Sequence, residues 1–114
     1  MADDCLFCKM VSGEVECHKV YEDEEVMAFR DINPQAPVHI LVIPKKHIPD
    51  ASAITYMNSC MVARCFEAIP RIAKANHLEG GFRVVTNAGE DAGQTVPHLH
   101  FHLLGGERLS DKMS

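Results

Sequence analysis

The chain has 114 residues, 46% of them hydrophobic, with 11 Lys and Arg against 16 Asp and Glu for a formal net charge of −5. That length suits a single domain, 1–114, with a core of its own, and the mild acidity argues against binding along a nucleic-acid backbone. No apolar run is long enough to span a bilayer, the acidic start Met1-Ala2-Asp3-Asp4 lacks a signal peptide's basic opening, and five cysteines read as reduced thiols or metal ligands, so the expected location is cytoplasmic, or also nuclear.

Cys5-Leu6-Phe7-Cys8-Lys9-Met10-Val11 has helical spacing and stops at Ser12-Gly13, which predicts a short helix. His18 to Tyr21 and Val26 to Arg30 read as a hairpin around Glu22-Asp23-Glu24. Asp31-Ile32-Asn33-Pro34-Gln35-Ala36-Pro37 is a loop with Asn-Pro as its turn signal. Val38 to Ile43 is nearly all apolar, which predicts a central strand buried on both faces. Lys45-Lys46 offers either a small anion site or a solvated strand end, the commoner case.

Asp50 or Ser52 is a possible cap for a long helix. Ile54, Met57, Met61, Cys65, Ile69, Ile72 and Ala73 carry its periodicity to Asn76-His77, with a kink or break expected at Pro70. Phe82 to Asn87 reads as a strand, and Ala88 to Pro97 as a loop of small polar residues. The last element is His98-Leu99-His100-Phe101-His102-Leu103-Leu104. If it is a strand, its alternation puts three imidazoles on one face. Imidazole serves as nucleophile, acid or metal ligand near neutral pH, so this face is a working surface or a metal site. The element order predicts an α+β domain with one mostly antiparallel sheet. Cys5-x-x-Cys8, taken alone, is a redox pair, two small packing residues, or half of a four-ligand metal site.

The alternating run His98-Leu99-His100-Phe101-His102-Leu103-Leu104 resembles the signature of the histidine triad (HIT) family. The likeness extends to Cys5-Leu6-Phe7-Cys8-Lys9, Asp31 to His39, Ile43-Pro44-Lys45-Lys46-His47, Asn87-Ala88-Gly89 and Gly93-Gln94-Thr95, in order. Its nearest branch is the nucleotide-binding, purine nucleoside phosphoramidase group. The resemblance implies a five-stranded sheet with one short and one long helix, and a homodimer whose sheets join edge to edge. Phe82 to Val85 would be the joining strand. Met57, Met61, Arg64, Cys65 and Ala68 would be the helix contact.

It also implies site roles. His100 would be the nucleophile on the α-phosphorus of a phosphoramidate or acyl-nucleotide, His102 would touch phosphate oxygens, and Thr95, Gln94 and Asn87 would lie near phosphate or leaving group. Asp31 would hold the ribose hydroxyls of a purine nucleotide (AMP- or GMP-like), and Leu6, Phe7, Phe29 and Ile32 would form the base slot. Cys5, Cys8, His47 and His98 would bind one structural Zn2+. His18, His39 and His77 read as structural or exposed. Two other readings stand beside this one: a zinc- and nucleotide-binding adaptor with incidental hydrolysis, and a dinucleoside polyphosphate hydrolase. The chain departs from some relatives in having no tryptophan in its tail.

Overall fold

The computed structural model describes residues 4–112. Helix α1 spans Leu6–Ser12, capped at its start by the Cys5 sulfur, which accepts the Cys8 amide, and at its end by Gly13 at φ +86°. There follow β1 (Lys19–Glu22), β2 (Val26–Arg30), β3 (Val38–Pro44), α2 (Ser59–Ala75), β4 (Phe82–Val85) and β5 (Phe101–Gly105). The strands form one sheet in the order β1-β2-β3-β5-β4, and every neighbouring pair is antiparallel. The acidic turn closes the β1–β2 hairpin through Asp23, whose Oδ1 accepts the amides of Glu25 and Val26, each at 2.8 Å.

The sheet is covered on both faces, which explains why Val38 to Ile43 reads as a nearly all-apolar run. Val26, Ala28, Ile40, Val42 and Leu103 join Cys65, Ala68, Ile69 and Ile72 of α2 in one core. Met27, Phe29, Leu41 and Ile43 point the other way and pack with Cys5 and Phe7 of α1. Strand periodicity puts His39, Leu41 and Ile43 on this second face. Register places Leu41 opposite His102 and His39 opposite Leu104, so the site is built on the α1 side of the sheet.

Three sequence expectations change. The long helix begins at Ser59, not near Asp50. Asp50 instead caps a 3-10 turn at Ala51–Ala53, and the Asn58 side chain accepts the Thr55 amide at 2.8 Å and donates to the Ala53 carbonyl at 3.2 Å. Such side-chain bonds compete with helical ones. The helix is also continuous through Pro70, so of the expected kink or break the break does not occur. The pyrrolidine lies on the exposed side, where water can take the carbonyl it leaves free. Finally, Cys65 and Ala68 are fully buried against the sheet, so the proposed contact stripe faces inward there. The outward residues of α2 include Cys60, Ala63, Phe66 and Pro70. Among the described residues, no helix is long and apolar enough to cross a membrane.

Candidate functional site

The three alternating histidines are not all on a strand, because β5 begins only at Phe101. His98 sits in a bend, its amide donating to the Val96 carbonyl at 2.8 Å, while the Leu99 amide donates to Ile48 O at 2.6 Å. The bend gives the histidines different surroundings. His98 turns toward α1, while the His100 and His102 rings lie together with centroids 5.0 Å apart.

Backbone groups assign each tautomer. A carbonyl only accepts, so the nitrogen facing it must carry the proton. His98 Nε2–H donates to Pro44 O at 2.8 Å, which leaves its Nδ1 with a lone pair. His100 Nδ1–H donates to the carbonyl of His98 at 2.7 Å, which leaves its Nε2 with a lone pair. That Nε2 has no partner among the described residues, and no wholly buried side-chain nitrogen or oxygen among them lacks one. It therefore opens to solvent. Two further contacts hold His100. The hydroxyl of Thr86 donates to its backbone carbonyl at 2.7 Å, and Phe7 meets its ring edge-on with centroids 5.1 Å apart.

His39 completes a relay that sequence reasoning misses. The Gln35 amide donates to His39 Nδ1 at 3.0 Å, so the His39 proton sits on Nε2. That group faces His102 Nδ1 at 2.9 Å, with Asp31 Oδ2 at 3.4 Å. His102 Nδ1 is thus an acceptor, and its own proton is on Nε2, where it can be donated to a ligand. Burial pushes the His102 pKa down to about 4, helped by the neighbouring His100 and His39 and opposed by Asp31. Burial likewise lowers His39, with Asp31 opposing. Both rings are neutral near pH 7. Asp31, His39 and His102 lie close enough to hold a metal ion. The Gln35 amide argues against it, since Nε2 ligation would require the proton on Nδ1, where that N–H already points. A signal for His39 exists in the sequence: it shares strand parity with Leu41 and Ile43. The register that puts it beside His102 is not readable there.

Cys5, Cys8, His47 and His98 bring four ligand atoms within 4.8 Å of one another. His98 Nδ1 is 3.2 Å from Cys5 Sγ, 3.5 Å from Cys8 Sγ and 3.2 Å from His47 Nδ1, and Cys8 Sγ is 3.3 Å from His47 Nδ1. A tetrahedral ion with zinc-like bond lengths would set N···N near about 3.3 Å and S···N near about 3.6 Å. The four residues fit such a closed site with shifts of a few tenths of an ångström, and they can hold a metal. Without a cation, burial and the adjacent Cys5 push the Cys8 thiol up to about 11. Burial lowers His98 to about 4, which keeps its Nδ1 lone pair available.

The other sequence-assigned residues are placed as follows. Ile32 is 100% exposed and Leu6 41%, whereas Phe7 and Phe29 are buried and meet edge-on with centroids 5.3 Å apart. Only the first two offer surface to a ligand, and the phenyl rings form the wall behind. Asp31 Oδ1 accepts the Asn33 amide at 2.8 Å. Gln94 braces its loop, accepting the Gly89 amide and donating to the carbonyls of Pro49 and Val96 at 2.8, 2.9 and 3.0 Å. Thr95 is exposed and Asn87 half-buried. Lys45 pairs with Glu22 at 2.7 Å, the strand-end outcome.

A family model described as HIT domain matches residues 12–109. Protein HitA of Neisseria gonorrhoeae is 41% identical over 103 residues, covering 90% of this chain and 96% of that protein. Among solved structures, a HIT family hydrolase from Clostridium thermocellum superimposes with a TM-score of 0.96 at 43% identity, over 100% of both chains. A histidine triad nucleotide-binding protein from Candida albicans gives a TM-score of 0.80 at 28% identity, over 97% of this chain and 87% of that one.

Proposed function

The chain belongs to the HIT domain family, and we propose that it is a nucleotide-binding hydrolase acting on purine nucleoside phosphoramidates or acyl-nucleotides through a nucleotidyl-histidine on His100. The observation that carries this reading is the 2.7 Å bond from His100 Nδ1–H to the His98 carbonyl. It orients the ring and leaves Nε2 as a solvent-facing nucleophile. The similar proteins described as a HIT family hydrolase and a histidine triad nucleotide-binding protein support the same class.

In this reaction the His100 Nε2 lone pair forms a bond to the α-phosphorus, and the bond from phosphorus to the leaving amine or acyl oxygen breaks. A phosphoramidate's amine leaves with a proton taken from solvent. The nucleotidyl-imidazolium keeps its Nδ1–H on the His98 carbonyl, a charge-assisted bond stronger than the neutral one. Water then attacks phosphorus, the Nε2–P bond breaks, and the monophosphate departs while a proton returns to solvent. His102 donates Nε2–H to a phosphate oxygen as charge develops there. The Asp31 carboxylate accepts from the ribose hydroxyls, the base lies on Ile32 and Leu6, and Thr95, Gln94 and Asn87 line the loop beside the leaving group.

Two thiolates and two imidazoles suit Zn2+, which is the ion of this proposal and would act as a structural staple between α1 and the sheet. A homodimer is the second part of the proposal. The outer edge of β4 is unpaired among the described residues, Phe82 on that strand is 44% exposed, and Phe66 on α2 is 48% exposed. A hollow of about 590 Å3 between Phe82, Arg83 and residues 106–109 adjoins that edge. An open edge beside apolar surface is what a twofold partner covers. Arg83 fixes the tail there by donating to the carbonyls of Ser110 and Lys112 at 2.7 and 3.2 Å.

The decisive experiment compares wild type with His100→Ala on an adenosine phosphoramidate and on a diadenosine polyphosphate. The expected result is turnover of the phosphoramidate, nucleotide trapped on His100 in wild type, and no release in the variant, with AMP binding retained. Near-wild-type turnover in the variant removes His100 as nucleophile. Preference for the polyphosphate reassigns the substrate, and binding without turnover in wild type returns the adaptor reading.

A further inference from the structure

His98 belongs to two systems at once. Its ring Nδ1 faces Cys5 Sγ, Cys8 Sγ and His47 Nδ1 at 3.2–3.5 Å, and its backbone carbonyl receives the proton of His100 Nδ1 at 2.7 Å. The side chain is wholly buried. A second route joins the same places: Phe7, two residues from the Cys5 cap of α1, meets the rings of His98 and His100 edge-on, with centroids 5.9 and 5.1 Å apart.

We infer that the Cys5–Cys8–His47–His98 centre is a positioning element for His100, so that a bound cation governs the reactivity of the nucleophile and not only the stability of the fold. The inference rests on the reading of His100 as the nucleophile. The reason is mechanical. The His98 ring and carbonyl share one residue in a bend outside the sheet ladder, so fixing the ring fixes the acceptor that orients His100. The partners of the His98 Nδ1 lone pair are two sulfurs and the His47 ring, and S–H is a weak donor, so a cation there would be the firmest hold on that side of the ring. The ring is otherwise held by its Nε2–H bond to Pro44 O, and the carbonyl by the Leu99 amide of the same peptide unit on Ile48 O. Losing the hold at Nδ1 lets the ring shift about these anchors, which loosens the His100 bond and lowers the fraction of His100 with its Nε2 lone pair exposed. Of the residues assigned to the nucleotide, Leu6 adjoins the centre, between Cys5 and Cys8, and the polar contacts lie elsewhere. Asp31 and Ile32 follow β2, and His102 is held in β5 by ladder pairing and by His39. The cation therefore affects nucleotidyl transfer far more than nucleotide affinity. A purely structural staple would lower the melting temperature and leave transfer intact below it.

The test uses the full chain loaded with Zn2+ and the same chain stripped by a chelator, both held below the melting temperature of the stripped form. AMP affinity is measured by calorimetry. Transfer is measured as single-turnover labelling of His100 by an adenosine phosphoramidate. The hydrogen-bonded Nδ1 proton of His100 is followed by NMR. Stripping is expected to slow labelling about tenfold or more, the scale of a misplaced reacting group, to leave the AMP dissociation constant within about twofold, and to broaden the Nδ1 proton signal. Labelling at the loaded rate in the stripped protein overturns the inference, and so does parallel loss of AMP affinity. If the loaded protein never labels His100, the proposed function itself fails, a distinct result. If the stripped chain unfolds, Cys8→Asp, which retains a fourth donor, carries the test. Labelling must then rise in step with Zn2+ occupancy, and a rate independent of occupancy refutes the coupling.

Discussion

Replacing His39 with Ala tests the relay most directly. His39 is buried and makes two hydrogen bonds, one from the Gln35 amide at 3.0 Å and one to His102 Nδ1 at 2.9 Å. At about 0.5–1.5 kcal/mol net for each bond, the variant loses about 1–3 kcal/mol of stability. That is a fall of about 4–8 °C in Tm for each kcal/mol in a domain of this size. The larger effect is on His102. Without His39, its Nδ1 has no donor, water enters the gap, and the repulsion from a neighbouring imidazole disappears. All three changes ease the burial that holds His102 at about 4, so its pKa climbs back toward the ordinary 6.5. His102 then populates the other tautomer and, as pH falls, the charged form. The expected outcome is a loss of about tenfold in kcat/KM at pH 7.5, or about 1.4 kcal/mol of transition-state stabilisation. The acid limb of the pH–rate profile should also move to higher pH. His39→Gln, which keeps a donor, should move both less. An acid limb unchanged in His39→Ala would refute the relay, whatever happened to Tm.

Thr86→Val removes the hydroxyl that holds the His100 carbonyl at 2.7 Å with little change of shape. It should lower stability by about 1 kcal/mol and reduce kcat more than it changes KM, whereas Thr86→Ser should recover both; equal kinetics in wild type and Thr86→Val would exclude a positioning role. Phe7→Ala empties a buried site between α1 and the sheet and should cost about 3–5 kcal/mol, read as a lower urea midpoint; a loss under about 1 kcal/mol would mean that α1 is not anchored through this ring. Acid should unfold the protein in a defined window. His102 and His39 have folded pKa values below their unfolded one, so the unfolded chain binds more protons as pH drops. The His102 contribution is complete above pH 6.5 and is lost toward about 4, that of His39 is lost as pH falls below 6.5, and His102→Gln should flatten that part of the Tm–pH curve. Light scattering at micromolar concentration should give a dimer, and Phe82→Lys at the open edge should give a monomer; a wild-type monomer with full turnover would remove the partner from the proposal.

What the sequence reveals of this fold is whatever local chemistry determines. Asp23 is a turn residue because its carboxylate can take two consecutive amides, and the nearly all-apolar run of β3 announces a sheet covered twice. The four metal-cluster residues are found because side-chain type and family likeness both point to them. Residues whose meaning depends on a distant partner are not legible. Cys65 and Ala68 read as part of an outer stripe, yet they face the sheet. Helical periodicity identifies one apolar stripe without saying which of two candidate surfaces it meets. The helix start is misplaced because Asn58 and Thr55 bond to each other and to the backbone, a competition that apolar spacing does not register.

His39 is the instructive case. In sequence it is one polar residue in a strand of apolar ones, and packing is the ordinary fate of such a histidine. Its role arises from two facts outside its neighbourhood, the β3–β5 register and the amide of Gln35. The triad presents the opposite situation. Its alternation suggests three equivalent imidazoles on one strand face, but the bend before Phe101 makes them chemically unlike. His98 has its Nε2 proton on Pro44 and its Nδ1 turned to the thiols. His100 has its Nδ1 proton on His98 and its Nε2 open. His102 has its Nδ1 accepting from His39 and its Nε2 proton available. One residue type thus supplies a ligand, a nucleophile and a donor, and the backbone carbonyls and amide that assign these roles leave no trace in the side-chain pattern.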